Sequence, residues 1–126
     1  MFRNLLLVAL GGALGSCSRY LIVRLSALLW PSAPSQLGTL AVNLAGCLLI
    51  GCLLGVAERT RLIGQALSLL LVTGFCGGLT TFSTFSADLV NIAGRGRPVQ
   101  AVVYAMLSIA GGVGLTLIGR SAALRL

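Results

Sequence analysis

The sequence predicts an all-α membrane protein of four spans, and three observations carry that expectation. Of its 126 residues 57% are hydrophobic and 9% charged, and the mean hydropathy is +1.04. A soluble domain of this size needs far more charge at its surface. The apolar residues fall in four runs, each close to or beyond the ~20 residues with which a helix crosses a bilayer. The segments between the runs are short and marked by proline, glycine or charge.

The first span is expected at about 5–29. The run after Met1-Phe2-Arg3 is too long for a signal-peptide core and no polar domain follows it, so it is read as a helix that stays. Trp30-Pro31-Ser32-Ala33-Pro34-Ser35 closes it. The second span, about 37–56, ends at Glu58-Arg59-Thr60-Arg61, read as a charged loop. The third, about 62–92, contains the stretch GFCGGLTTFSTFS from Gly74 to Ser86. Gly77-Gly78 followed by Thr80-Thr81 favours a break in this helix near its middle. A bilayer tolerates the freed amides and carbonyls only where they are buried in protein or bind something. Gly94-Arg95-Gly96-Arg97-Pro98 then leads to the fourth span, about 99–118.

All of the net charge of +7 rests on arginine, since the chain has no lysine. The arginines lie at span ends and in loops, where they anchor helices to lipid phosphates or set topology. A nucleic-acid partner is not expected. Four spans put Arg3, Arg59, Arg61, Arg120 and Arg125 on one side of the membrane. Arg95 and Arg97 lie on the other, joined by Arg24 and, if counted, Arg19. So small a bias points to dual topology, in which a copy pairs with its own inverted partner. Four helices barely enclose a conduit, which also favours an oligomer. The pairs Gly11 and Gly15, Gly51 and Gly55, and Gly74 and Gly78 have the spacing of close helix contacts. Glycine is also simply common in membrane helices.

Several functions are excluded. There is no histidine, and the only acids are Glu58 and Asp88, too few for an acid–base or metal-dependent enzyme. No ATP-binding motif is present. The first span lacks the glutamate that a small proton-coupled drug exporter would need, and a carboxylate selectivity ring has no basis. Cys17, Cys47, Cys52 and Cys76 all fall inside spans without metal-ligand spacing and read as small packing residues.

What remains within the spans is polar but neutral. Thr39 and Asn43 share a helix face, as do Tyr104 and Ser108. Such groups serve as glue between helices or line a path of hydroxyl and amide donors, which suits an anion. Phe82 and Phe85, three residues apart, are ordinary packing residues or present their positive ring edges to an anion. Carbonyls freed at the break, in two inverted copies, suit a small hard cation.

GFCGGLTTFSTFS, with Gly38-Thr39-Leu40-Ala41-Val42-Asn43-Leu44-Ala45-Gly46 and Gly11-Gly12-Ala13-Leu14-Gly15 ahead of Arg19-Tyr20, closely resembles the Fluc/CrcB family of fluoride channels. The resemblance covers essentially the whole chain. It implies an antiparallel, dual-topology homodimer in the cytoplasmic (inner) membrane that passively exports fluoride through two pores and protects the cell from its toxicity. Carried across, Asn43 is the pore amide that hydrogen-bonds fluoride, and Phe82 and Phe85 turn ring edges to the ion. Gly77 and Thr80 supply backbone carbonyls to a structural central Na+ that is not transported. Ser83 and Thr84 offer pore-facing hydroxyls, Thr39, Tyr104 and Ser108 form a polar track, and Arg19 makes the vestibule electropositive. Two positions depart from the family pattern: Gly112 stands where relatives often carry serine, and Asp88 where they tend to carry glutamate. A coupled exporter of another solute and a non-transporting membrane subunit are the alternatives. Steep pH-dependence abolished by Asp88→Asn marks the first, and a fixed partner without ion flux marks the second.

Overall fold

Where water is excluded, backbone amides and carbonyls must find partners within the protein, and this chain meets the requirement by folding into helices. The computed structural model describes residues 1–60 and 62–126, and among them there is no strand. Arg61, one of the arginines counted above, lies outside the described residues. Helix α1 runs Phe2–Leu29, α2 Gln36–Thr60 and α5 Pro98–Arg125. At ~1.5 Å per residue each is roughly 38–42 Å long, more than the ~30 Å hydrocarbon core requires.

The third crossing, Gln65–Gly94, is made of two pieces, α3 (65–79) and α4 (Phe82–Gly94). Neither is long enough to cross alone. Helix α3 begins with an α-turn at Gln65–Ser68, widens into a π-helix over Leu69–Cys76 and returns to α-geometry at Gly77–Leu79. Wide turns of this kind are rare and often found near functional sites. The break falls on Thr80 (φ −85°, ψ 156°) and Thr81 (φ −149°, ψ 118°), both extended. Gly77 itself stays helical, with φ −63° and ψ −36°. The glycines of the motif therefore do not turn the chain. The β-branched threonines do, because they lose less in an extended backbone and their hydroxyls offer it other partners.

The turns follow local rules. Helix α4 ends in a Schellman motif: Gly96 takes φ +71°, its N–H reaches Ala93 O (3.0 Å), and Arg97 N–H reaches Ile92 O (3.3 Å). Pro98 then opens α5, where its missing N–H costs nothing. At the opposite end of the bundle the sequence reading needs correction. Glu58 is not in a loop, because α2 continues to Thr60, and α5 continues past 118 to Arg125. The extra turns are joined by a two-point ion pair: Arg120 Nε donates to Glu58 Oε1 (3.0 Å) and Nη2 to Oε2 (2.9 Å).

Two glycine seams hold the helices together. On one, α1 meets α3 backbone to backbone. A Cβ on Gly15 would strike the Phe75 carbonyl, one on Gly11 the Leu70 carbonyl, and one on Gly74 would lie 2.9 Å from Val8 O. On the other, α2 meets α5, where a Cβ on Gly51 would strike the Thr116 carbonyl and one on Gly119 the Leu48 carbonyl. Such approach is how membrane helices gain contact without a hydrophobic driving force. All three glycine pairs singled out in the sequence thus serve contacts within one chain. Leucines, valines and isoleucines cover much of the outer surface, facing where lipid would be.

Candidate functional site

A broken helix leaves amides and carbonyls without their helical partners, and at this break side chains take them up. Thr80 still belongs to the helix before it: its N–H and its Oγ1 both donate to Cys76 O, at 3.0 and 2.9 Å. Its Cγ2 lies against Gly46, where a Cβ would displace it. Thr81 is held from α2. Its N–H donates to Asn43 Oδ1 (2.7 Å) and its carbonyl accepts from Asn43 Nδ2 (3.1 Å). The Thr81 Oγ1 then caps α4 by accepting from Thr84 N–H (3.2 Å), donates to Thr84 Oγ1 (3.1 Å) and lies 3.2 Å from Ser83 Oγ.

Of the backbone oxygens that lose their helical donors here, two can be traced through the donors. In an unbroken helix Thr81 N–H would bond the Gly77 carbonyl and Thr84 N–H the Thr80 carbonyl. Both donors are engaged elsewhere. Among the described residues no group of three His, Cys, Asp or Glu side chains converges as a metal site.

Two concavities meet at Thr81. The larger, about 460 Å³, is lined among others by Asn43, Gly77, Thr80, Phe82, Phe85 and Ser108. Among the described residues no charged side chain lines it. The Ser108 Oγ is buried without a hydrogen-bond partner among the described residues. The smaller, about 250 Å³, gathers Arg19, Thr39 and Thr84 with Ser16 and Tyr20. Thr39 is the buried member of this group at 4% exposure.

Beyond the break the aromatics form a ladder. Phe82 is 79% exposed, whereas Phe85 is 7% and Tyr104 5% exposed. Ring centroids are 5.7 Å apart between Phe82 and Phe85 and 5.4 Å between Phe85 and Tyr104, tilted at 43° and 45°. Tyr104 OH donates to Asp88 Oδ2 (3.1 Å). Asp88 in turn borders a polar recess of about 60 Å³ with Arg95 and Arg97.

Of the residues named from sequence, Asn43, Gly77, Thr80, Phe82, Phe85 and Ser108 come together on the larger concavity, and Arg19, Thr39 and Thr84 on the smaller. Ser83 stands at the cap of α4, and Tyr104 packs behind Phe85, on neither. Thr81, read from the sequence as part of the break alone, joins both concavities and holds the cap. A threonine three residues ahead of another at a helix start is the available signal.

Residues 6–120 match the family model described as CrcB-like protein, Camphor Resistance (CrcB). The chain is 47% identical over 121 residues to the fluoride-specific ion channel FluC of Bordetella petrii, covering 95% of this chain and 91% of the relative. It is 41% identical over 119 residues to the fluoride-specific ion channel FluC 1 of Yersinia pseudotuberculosis, covering 94% and 91%. To the fluoride-specific ion channel FluC of Rhizobium etli it is 45% identical over 112 residues, covering 88% and 85%. With a match of this extent and four apolar crossings among the described residues, the chain belongs to the CrcB family.

Proposed function

We propose that this protein is a fluoride-selective channel of the inner membrane, through which fluoride leaves the cell passively, and that it works as an antiparallel homodimer. The observation that carries the reading is the larger concavity: an uncharged recess holding an amide, hydroxyls and an exposed phenylalanine in one place. Fluoride is small and strongly hydrated, so a path that selects it must replace its water with closely spaced donors. Neutral donors do so without trapping the ion. The relatives' name, fluoride-specific ion channel, agrees with that chemistry. Arg19 draws anions toward the smaller concavity, and the hydroxyls of Thr39, Ser83 and Thr84 lead to the break. Asn43, the edges of Phe82 and Phe85, and Ser108 receive the ion beyond it, with Tyr104 behind them.

A second, inverted copy would close the open side of the larger concavity, where Phe82 is exposed and a Cβ on Gly77 would meet nothing within 4 Å. Arginine placement permits both orientations, with Arg3, Arg59, Arg120 and Arg125 at one end and Arg24, Arg95 and Arg97 toward the other. Two breaks facing each other would bring together the released carbonyls of Gly77 and Thr80. This all-oxygen set fits a hard cation such as Na+. Bound there, the ion would neutralise converging carbonyl dipoles and fasten the two copies. Because the Thr80 hydroxyl is turned back to Cys76 O, Thr80→Ala should keep sodium binding. Loss of the ion in that variant, with the backbone unchanged, would make the side chain the ligand. For the function itself, liposomes containing only this protein should release fluoride rapidly and retain chloride. Equal release of both anions, or of neither from folded dimeric protein, would overturn the reading.

A further inference from the structure

We propose that Asn43 is the clasp that makes the break: by binding both backbone groups of Thr81 it holds the third span out of a continuous helix and frees the Gly77 carbonyl. Asn43 lies on α2, 38 positions away in the chain, and the two hydrogen bonds at 2.7 and 3.1 Å join its amide to Thr81 alone. The usual ambiguity between amide oxygen and nitrogen does not arise. A backbone N–H only donates and a backbone carbonyl only accepts, so each selects the complementary atom.

Without the clasp the straight helix is the better alternative. It would pair Thr81 N–H with the Gly77 carbonyl and leave nothing unsatisfied in a medium that does not tolerate unpaired amides. Asn43 reverses that preference by giving Thr81 N–H another acceptor and the Thr81 carbonyl, which opens α4, a further donor. The extended Thr81 can then swing its Oγ1 over the first turn of α4, where it takes Thr84 N–H and keeps the Thr80 carbonyl free as well. One side-chain amide thus accounts for the position of the break, the cap of α4 and the release of two carbonyls. Asn43 is in this respect a positioning residue.

The clasp also fixes what Asn43 shows to the larger concavity. Its Oδ1 is committed to Thr81, and one Nδ2 hydrogen is committed to the Thr81 carbonyl. Only the second Nδ2 hydrogen remains, and the amide cannot turn its oxygen toward an anion without giving up both bonds. This last consequence rests on the channel reading above; the clasp itself does not.

Residue-resolved backbone 13C chemical shifts of the full chain in lipid nanodiscs, in fluoride-free buffer, test the clasp. In wild type Thr80 and Thr81 should carry the shifts of extended backbone. In Asn43→Ala both should move to helical values, while residues of the α1–α3 seam keep their shifts and report an intact fold. Asn43→Asp keeps an acceptor for Thr81 N–H, so Thr81 should stay extended there, although the donor is gone. Extended shifts at Thr81 in Asn43→Ala would overturn the proposal, as would Asp and Ala variants that turn helical equally. Should Asn43→Ala fail to fold, helical shifts at Thr81 in Asn43→Asp overturn it alone. Fluoride efflux from the same preparations separates the two readings. Flux lost in Asn43→Ala with Thr81 still extended leaves a channel without a clasp. Thr81 helical in that variant, with wild type carrying no fluoride, leaves a clasp without a channel.

Discussion

Before the break the third span leans on α1, and after it on α5, and the residues of each half suit the partner they meet. Helix α3 supplies Gly74 and Gly78 to Gly11 and Gly12 of α1, and the Phe75 carbonyl to Gly15, so close that backbone touches backbone. Helix α4 supplies Phe85 and Ile92 to Ala101 and Tyr104 of α5, and adds Asp88 as a hydrogen-bond acceptor. The first half is positioned by the absence of side chains and the second by their presence. A break between the halves is what such a change of partner requires, and α2, through Asn43, supplies its pivot.

Substitutions at the seam should give the largest effect. Gly15→Leu drives a side chain into the Phe75 carbonyl, which is backbone and cannot step aside. A loss upward of about 3 kcal/mol is expected, read as failure to accumulate folded protein and early unfolding in detergent. Gly77→Ala, in the same half but facing open space, should leave the fold of the single chain unchanged and weaken only contact between copies, read by cross-linking. Normal unfolding in Gly15→Leu would show that glycine contact does not hold this half.

Next in size is the aromatic contrast beyond the break. Phe85 is buried against Tyr104, so Phe85→Ala should cost about 3 kcal/mol or more. Exposed Phe82→Ala should stay within about 0.5 kcal/mol. Equal destabilisation by thermal unfolding would mean that Phe82 is covered in the working assembly to the same degree. The smallest effect belongs to the cap: Thr81→Ala should cost about 1 kcal/mol and quicken exchange at Thr84, while Thr81→Ser, which keeps the Oγ, should recover most of it.

Much of the crossing pattern was legible in the chain, because length and hydropathy decide what spans a bilayer. The glycine pairs at four-residue spacing also marked true contact faces. What they could not tell was whether the contact lay within a chain or between chains. Both need small residues, and here Gly74 and Gly78 meet α1 of the same chain. The motif announced a break but not its residue. Glycine permits a turn without requiring one, whereas Thr81 turns because Asn43 is within reach, a fact settled 38 positions away. Glu58 reads as a loop residue for the same reason: its partner Arg120 stands across the bundle, 62 positions away. The π-widening over Leu69–Cys76 has no counterpart in local propensity.

Beyond the break, side chains serve both the proposed fluoride path and packing, and exposed Phe82 separates the two uses most cleanly. Fluoride efflux from liposomes should be measured for wild type and Phe82→Ile at matched amounts of folded protein. A large fall in fluoride release with unchanged thermal unfolding is the predicted result. Wild-type flux through the variant would contradict it and return the exposed phenylalanine to packing alone.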